Sequence, residues 1–521
     1  MFDLIIRGGT VLDGTGGDPR RADVGIVGEC IAAIGDLDSR QGEELDATGL
    51  FVTPGFIDIH SHSDYTLLAD PRAVSAIHQG VTTEVVGNCG HGCFPIRDRE
   101  LALKAIYGYS ESVPLDWDSA SGYFSRLEQA EPALNVMSMV PHGQLRLAVV
   151  GLTDRLSTEG ELDRMARLLA TALEEGAWGL STGLEYATEA GASESEVTKL
   201  CAPLAERDDL YVCHARYRDA GAPEGVAEAI RTARAAGVRL QVSHLVPRSG
   251  DAEMEQCLEM VDEARHEGLD IAFDVHTRLF GFTYLYSVLP PWAMAGGVDG
   301  LASVLRSSDA RREMKDFRSI LSAGGDWERI ELLDHDAYPD YGRRSIGSIA
   351  AERGQEALDC IYDLLLGAIE TMGSLMVLID CHSADQQRRA FAHPLAMPAS
   401  DATTMAPDGP LAGGTFHGAY TWASYFYNFS AGPEGFLSPS EAVRRLSGLP
   451  ADRLGLSDRG VLRPKAFADV AVFDPAVFRE KATRYEPNVL AEGMEHVLVN
   501  GKPVMLAGRL SGTRPGRVLR R

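Results

Sequence analysis

Apolar runs of a few residues alternate with amphipathic stretches through the middle of the chain, and this alternation predicts βα units around a parallel sheet. We expect strands at 56–59, 83–86, 133–140, 179–181, 210–213, 240–243, 270–273 and 396–399. A set of eight such strands is typical of a closed barrel, in which functional side chains lie at the carboxyl ends of the strands. Polar residues that end these runs are therefore the candidate active-site residues.

The two ends of the chain have a different pattern. Short strand-like runs separated by Gly and Asp turns fill residues 1–53, and similar runs with an Asn500-Gly501 turn fill 455–521. We expect both ends to join in one small β domain, with 54–454 as the barrel.

One segment interrupts the βα rhythm. Residues 280–345 are rich in Tyr, Trp, Pro and charged residues, and they are too numerous for an ordinary βα loop. Insertions at a catalytic face often act as lids, so we expect a lid over the site. The alternative is a peripheral decoration or an oligomer contact.

Nearly every predicted strand ends in a side chain that can bind a metal. His60 and His62 lie two residues apart, so they face the same side of a strand. The residues in this pattern are His60, His62, Cys89, His142, His214, His244 and Asp401. A lone histidine at a strand end is more often a structural residue, but recurrence at equivalent barrel positions indicates a shared site. A thiolate with imidazoles and a carboxylate suits zinc better than magnesium or calcium.

Charge and cysteine content narrow the function classes. The formal net charge of -26 argues against binding to nucleic acid or to an anionic membrane. An anionic substrate would need arginine or lysine within the site itself. The eight cysteines are spread along the chain, and we find neither a signal-like N-terminus nor an apolar run of bilayer length. These features predict a cytoplasmic protein. They do not decide whether it forms a homo-oligomer.

Several longer motifs carry a family resemblance over nearly the whole chain. They are DLIIRGGTVLDGTG, TPGFIDIHSHSD, QGVTTEVVGNCGHG, GAWGLSTGLEY, HARYR with VSHL, MPASDA, GLSDRGVLRPKAFADVAVFDP and VLVNGKPV. With them the chain resembles the metal-dependent amidohydrolase superfamily. Within it, GNCG and GLSTGLEY point to the D-aminoacylase (N-acyl-D-amino-acid deacylase) family.

The resemblance implies a distorted (β/α)8 TIM-like barrel with a small β-sandwich domain made by both termini. It implies a tight zinc site at Cys89, His214 and His244, and a second, weaker metal position at His60 and His62. It also implies hydrolysis of N-acyl amino acids, most often of the D series, by a metal-activated water with Asp401 as general base and acid. The ordinary alternative for Asp401 is a helix cap. The lysine that ring-opening relatives carry on the fourth strand is absent from Leu180-Ser181-Thr182-Gly183.

The sequence departs from the resemblance where the substrate binds. Relatives carry a lysine where this chain has Val246, and an Asp-x-Tyr-Pro-Tyr run where it reads 274–278 as DVHTR; a late His-Pro-Arg element survives only as His417-Gly418-Ala419. The remaining candidates for substrate contacts are His142, Arg216, Arg278 and Tyr284, with Arg248 as a weaker one. Each of these arginines could instead form a structural ion pair. The aromatic residue could instead pack in the hydrophobic core.

Two other functions remain open at this point. One is hydrolysis of another linear amide, a dipeptide, a carbamate or a cyclic amide. The other is a scaffold that has the barrel without catalysis, which the joint presence of the candidate ligands argues against.

Overall fold

The computed structural model describes residues 1–38, 42–109, 112–294, 296–322 and 324–521. Its centre is a barrel of short parallel strands, which confirms the predicted alternation of strands and helices. The barrel strands are Phe56–Asp58, Val81–Val86, Asn135–Ser138, Val140–Pro141, Gly179–Gly183, Leu210–His214, Arg239–Val242, Ile271–His276 and Ala396–Ala399. Six of them form one parallel sheet and three form another.

The two sheets close on each other through backbone contacts at both seams. At one seam, Leu180 pairs with Val140, and Trp178 N–H donates to the carbonyl of Ser138 at 2.9 Å. At the other, the Asp401 N–H donates to the carbonyl of His60 at 2.9 Å. The barrel is therefore closed but distorted, as predicted.

The helices of the barrel pack outside these strands. They are Thr66–Ala69, Val74–Ile77, Arg99–Ala102, Ala120–Ala130, His142–Val149, Glu159–Glu174, Glu194–Ala205, Ala222–Ala236, Asp251–His266, Ala384–Ala392, Trp422–Ala431, Pro439–Leu446 and Gly448–Leu454. Short 3-10 turns occur at Leu103–Ala105 and Gly409–Leu411. None of the helices in the described ranges has the length and apolar character needed to cross a membrane.

The helix Glu159–Glu174 shows how sequence sets these elements. Thr158 caps it through a reciprocal pair of hydrogen bonds with Glu161, which satisfies amide groups that the first turn leaves free. Leu162, Met165 and Leu169 then recur on one face and are buried against the barrel.

Both ends of the chain build a single sheet beside the barrel. Its strands are Leu4–Val11, Arg20–Val27, Cys30–Gly35, Glu43–Asp46, Phe51–Pro54, Val470–Phe473, Met494–Val499, Lys502–Leu506 and Arg509–Leu510. The termini meet where Phe51–Pro54 pairs antiparallel with Val470–Phe473. A core of its own, including Ile6, Val24 and Val470, lies on one face.

The insertion has a separate sheet and core. Its strands are Phe280–Tyr284, Ile330–Leu332, Arg344–Ser345 and Met376–Asp380. Its helices are Pro291–Met294, Gly297–Arg306, Ser308–Met314, Ile346–Arg353 and Ala357–Gly367, with 3-10 turns at Leu285–Val288, Trp327–Arg329 and Ile369–Ser374. The sheet extends beyond the predicted end at 345, because Met376–Asp380 pairs with both Phe280–Tyr284 and Ile330–Leu332. Positions 295 and 323 of the predicted segment lie outside the described residues.

Candidate metal centre and substrate chamber

The carboxyl ends of four barrel strands bring four metal-binding side chains together. His60 follows Phe56–Asp58, Cys89 follows Val81–Val86, His244 follows Arg239–Val242, and Asp401 follows Ala396–Ala399. One potential ligand atom from each lies within 4.8 Å of all the others. Parallel strands make this possible, since their carboxyl ends meet at one face of the barrel.

The distances within this cluster are short. Cys89 Sγ lies 3.1 Å from His60 Nε2 and 3.5 Å from His244 Nε2. Asp401 Oδ1 lies 3.6 Å from His60 Nε2 and 3.3 Å from His62 Nε2. His62 therefore joins the cluster through Asp401.

His214 lies beside the cluster rather than within its most compact part. Its ring centroid is 4.5 Å from that of His244, at 88° to it. Its Nε2 lies 3.2 Å from Oε2 of Glu185, a carboxylate that also pairs with Arg248. The ligand role of His214 stays a prediction.

The surroundings favour the anionic forms of the thiol and the carboxyl group. Burial alone would raise the pKa of Cys89, but the imidazoles of His60, His214 and His244 lower it well below the usual value of a thiol. Burial likewise opposes ionisation of Asp401, but the hydrogen bond with His62 and the charges of His244, His60 and Arg278 hold its pKa well below 3.8.

This donor set fits zinc. A thiolate, two or more imidazoles and one carboxylate are the ligands that zinc takes in proteins, and they are too soft a set for calcium or magnesium. The side chain of His60 is fully buried, whereas that of Asp401 is 19% exposed. A metal held here would thus be shielded on the barrel side and accessible from the side of Asp401.

Two carboxylates that support the cluster were missed by the sequence analysis. Asp274 accepts from His60 Nδ1 at 3.0 Å and from the His244 backbone N–H at 2.9 Å, so it orients both residues. Glu185 orients His214 in the same way, through the contact with His214 Nε2. An aspartate inside the apolar strand Ile271–His276 was a usable signal, because a buried carboxylate needs partners.

His142 is fully buried. Its Nδ1 lies 2.5 Å from Glu189 Oε2 and its Nε2 lies 3.1 Å from Glu196 Oε1, while Arg146 donates to the same Glu196 oxygen at 2.6 Å. Both ring nitrogens therefore have protein partners. The predicted substrate contact of His142 has no support in this geometry and stays a prediction.

The predicted arginines differ in their surroundings. Arg216 forms a two-pronged ion pair with Glu228, at 2.9 Å and 2.8 Å. Arg278 is buried and donates to Asp401 Oδ2 at 3.1 Å and to the carbonyls of Ser400 and His417. Of these two, Arg278 is the one close to the cluster, where it holds the carboxylate of Asp401 in place.

A small chamber of about 40 Å³ lies over the cluster. Its lining includes His62, Tyr107, Tyr186, Arg218, Arg248, His276, Arg278, His382 and Asp401. A second cavity, of about 330 Å³, adjoins it and shares Tyr107 and Tyr186 as lining. The predicted residue Tyr284 lines this larger cavity, stacked on Tyr286 with ring centroids 4.8 Å apart.

Comparison with known proteins gives consistent likenesses over the full chain. Residues 43–505 match the amidohydrolase family. The chain is 34% identical to an N-acyl-D-glutamate deacylase of Alcaligenes xylosoxydans xylosoxydans, covering 100% of this chain and 97% of that protein.

Two solved structures resemble the fold over 100% of both chains. A D-aminoacylase has a TM-score of 0.82 at 30% identity. An N-acyl-D-glutamate deacylase from Bordetella bronchiseptica, complexed with zinc and a phosphonate inhibitor that mimics the tetrahedral intermediate, has a TM-score of 0.81 at 29% identity.

Proposed function

The chain belongs to the amidohydrolase family, and from that premise we propose that it hydrolyses the amide bond of N-acyl-D-amino acids. The observation that carries the proposal is the cluster of His60, Cys89, His244 and Asp401 beneath a chamber lined by arginines. The relatives named for deacylation of N-acyl-D-amino acids support the choice of substrate class.

We take the two metal positions from the family resemblance. Cys89, His214 and His244 would hold one zinc tightly, and His60 and His62 would hold a second, weaker one. When bound, zinc acts as a Lewis acid that polarises the amide carbonyl and lowers the pKa of a water to about 7. Asp274 and Glu185 would keep the imidazoles correctly oriented.

Asp401 performs the proton transfers in this mechanism. Its depressed pKa keeps it ionised at neutral pH, so it can accept a proton from the attacking water. As the carbon–oxygen bond forms and the carbon–nitrogen bond breaks, the same proton passes from Asp401 to the leaving amine. Arg278 holds Asp401 Oδ2 while Oδ1 faces the histidines, which fixes the carboxylate in one orientation.

The insertion serves as the lid in this proposal. Its residues Thr283, Tyr284 and Ile320 line the larger cavity against Tyr107 and Tyr186 of the barrel loops. Closure there would exclude water from the reacting amide. The eight unpaired cysteines suit a reducing compartment, and we place the enzyme in the cytoplasm.

A panel of N-acetyl amino acids of both chiralities, assayed with and without added zinc, tests the function. We expect zinc-dependent release of free amino acid from the D series. If no member is hydrolysed at any zinc concentration, the chain is not an N-acyl amino acid deacylase.

A further inference from the structure

Among the described residues, one arginine of the chamber has no carboxylate partner, and this indicates how the substrate is recognised. We propose that Arg218 binds the substrate's single carboxylate, and that the adjoining cavity receives one bulky apolar group. This inference rests on the proposed deacylase function. It narrows the substrate class to N-acyl amino acids with one negative charge and one large apolar substituent, which differs from the acidic substrate for which the N-acyl-D-glutamate deacylases are named.

The other two arginines of the chamber are already neutralised. Arg248 pairs with Glu185 through both terminal nitrogens of its guanidinium group. Arg278 pairs with Asp401 and also donates to two backbone carbonyls. Neither presents an unpaired charge to a ligand.

Arg218 is different. Within the described ranges it forms no ion pair, and its Nε is buried without a hydrogen-bond partner. One terminal nitrogen donates to the carbonyl of His244 at 3.1 Å, which holds the side chain beside the metal cluster. An unpaired buried donor costs free energy, and a ligand carboxylate is the natural partner for a guanidinium.

His276 and His382, the chamber histidines outside the proposed metal positions, add no further positive charge. Burial, together with the charge of Arg278, holds the pKa of His276 well below 6.5. Burial and the charges of Arg218 and Arg248 also hold the pKa of His382 well below 6.5. His62 is paired with Asp401, so among the described lining residues Arg218 is the one uncompensated cation, enough for one carboxylate but not for two.

The adjoining cavity is suited to an apolar group. Its volume of about 330 Å³ lies within the range of small-molecule sites. Beyond Tyr284 and Tyr286, its lining includes Leu289, Phe317 and Met372. Its charged members are Glu185, which is paired with Arg248, and Lys104, which is exposed to solvent. A second carboxylate placed here would lose its hydration without gaining a buried cation.

The cavity and the chamber share Tyr107 and Tyr186, so both can hold parts of one molecule. Burial raises the pKa of both phenols, and they stay protonated at neutral pH. The apolar group can be the side chain of the amino acid or the acyl chain, and the substrates tested must separate these two cases.

A panel of four substrates tests the apolar part. N-acetyl-D-phenylalanine places the bulk in the side chain, N-octanoyl-D-alanine places it in the acyl chain, and N-acetyl-D-alanine and N-acetyl-D-glutamate are the references. We expect kcat/KM of at least one bulky substrate to exceed that of N-acetyl-D-alanine by about tenfold or more, since each buried methylene adds to binding. N-acetyl-D-glutamate should be the poorest.

The outcomes separate the two proposals. Preference for the glutamate derivative, or for the alanine derivative over both bulky ones, would overturn the substrate class and leave the deacylase function standing. Hydrolysis of none of the four would overturn both.

The role of Arg218 is tested by Arg218→Met with two versions of the best substrate, the free acid and its carboxamide. We expect KM for the acid to rise about 10- to 100-fold, the range for losing a charge-assisted hydrogen bond. KM for the carboxamide should change little. Arg218→Lys should recover part of the loss, because it restores the charge without the planar fork.

Two controls make this result specific. Zinc content of Arg218→Met reports whether the nearby His244 backbone has been disturbed. Arg306→Met removes an exposed arginine of the insertion and should leave both substrates unaffected. An equal rise in KM for acid and carboxamide would show that Arg218 acts on the structure rather than on the carboxylate, and would overturn its assignment.

Discussion

Three members of the metal cluster have backbone conformations that favour glycine. The φ angles of Cys89, His244 and Asp401 are 53°, 36° and 44°. Residues with a β-carbon are uncommon in this left-handed region, and such strain persists where the surroundings and the function require it. Glycine would relieve the strain but would remove a thiolate, an imidazole or a carboxylate from the site.

Asp401→Asn tests the proton-transfer role at single-residue resolution. The amide keeps the shape of the side chain but cannot accept a proton, so we expect kcat to fall by about 10²- to 10⁴-fold. Zinc content and the circular dichroism spectrum should stay close to those of the native protein. The control is Asp408→Asn, an exposed carboxylate on the following loop. A variant that retains most of its kcat would remove Asp401 from the role of general base.

Cys89→Ala tests the metal assignment. Loss of the central thiolate should lower zinc bound after purification to well below one equivalent, measured by elemental analysis. Cys93→Ala is the matched control, because Cys93 is equally buried but lies outside the metal cluster. Unchanged zinc content in Cys89→Ala would show that other residues hold the metal.

At the scale of elements, the parallel register aligns the strand ends. Gly183 pairs with His214 on the next strand, and Cys213 pairs with Val242 on the strand after that. His244 lies two residues after Val242, so His214 and His244 end neighbouring strands. All predicted strands are present within a few residues of the expected bounds. This much was predictable because apolar runs bounded by turn residues report burial directly. The extent of the insertion could not be predicted, because Met376–Asp380 pairs with strands more than 30 residues earlier in the chain.

The helices His142–Val149 and Glu194–Ala205 are joined by a buried ion network whose stability should depend on pH. Burial opposes ionisation of Glu196, but His142 and Arg146 lower its pKa to about 2. Burial likewise opposes protonation of His142, but the carboxylates of Glu189 and Glu196 raise its pKa to about 9. Glu196 stabilises the fold at pH values above 4.5, its pKa in the unfolded chain, and this contribution is lost as the pH falls towards 2. His142 stabilises the fold at pH values below 6.5, its pKa in the unfolded chain, and this contribution is lost as the pH rises through 9.

We therefore expect the contribution of this network to be greatest between pH 4.5 and 6.5. In His142→Gln the loss of stability, followed by thermal unfolding, should be larger at pH 6 than at pH 9, by up to about 3 kcal/mol. His266→Gln, at an exposed helix end, should change stability little at either pH. A pH-independent loss in His142→Gln would mean that packing, rather than charge, is what His142 contributes.

At the scale of the whole molecule, a buried polar network joins the terminal sheet to the barrel. Asp469 pairs with Arg459 and accepts from the Asn500 backbone N–H at 2.7 Å. Asn500 in turn donates to Asn135 of a barrel strand at 2.9 Å. Both charged side chains are almost fully buried, at 4% and 3% exposure.

Asp469→Ala should destabilise the protein by about 3 to 5 kcal/mol, because it leaves the charge of Arg459 buried and unpaired. Chemical denaturation measures this loss. Asp309→Ala breaks the exposed pair with Arg312 and should cost less than about 1 kcal/mol. Equal effects of the two substitutions would mean that the network does not hold the terminal sheet to the barrel.

The sequence by itself determined the barrel, the meeting of both termini in one sheet and the candidate zinc ligands. These follow from local patterns: alternation of apolar and polar positions, and polar residues at the ends of strands that must share one face. Only the tertiary structure decided which charges are neutralised. Arg278 and Asp401 are 123 residues apart, and Arg248 and Glu185 are 63 apart. Such pairs leave no local pattern, and for that reason only the fold shows that Arg218 has no ion-pair partner among the described residues.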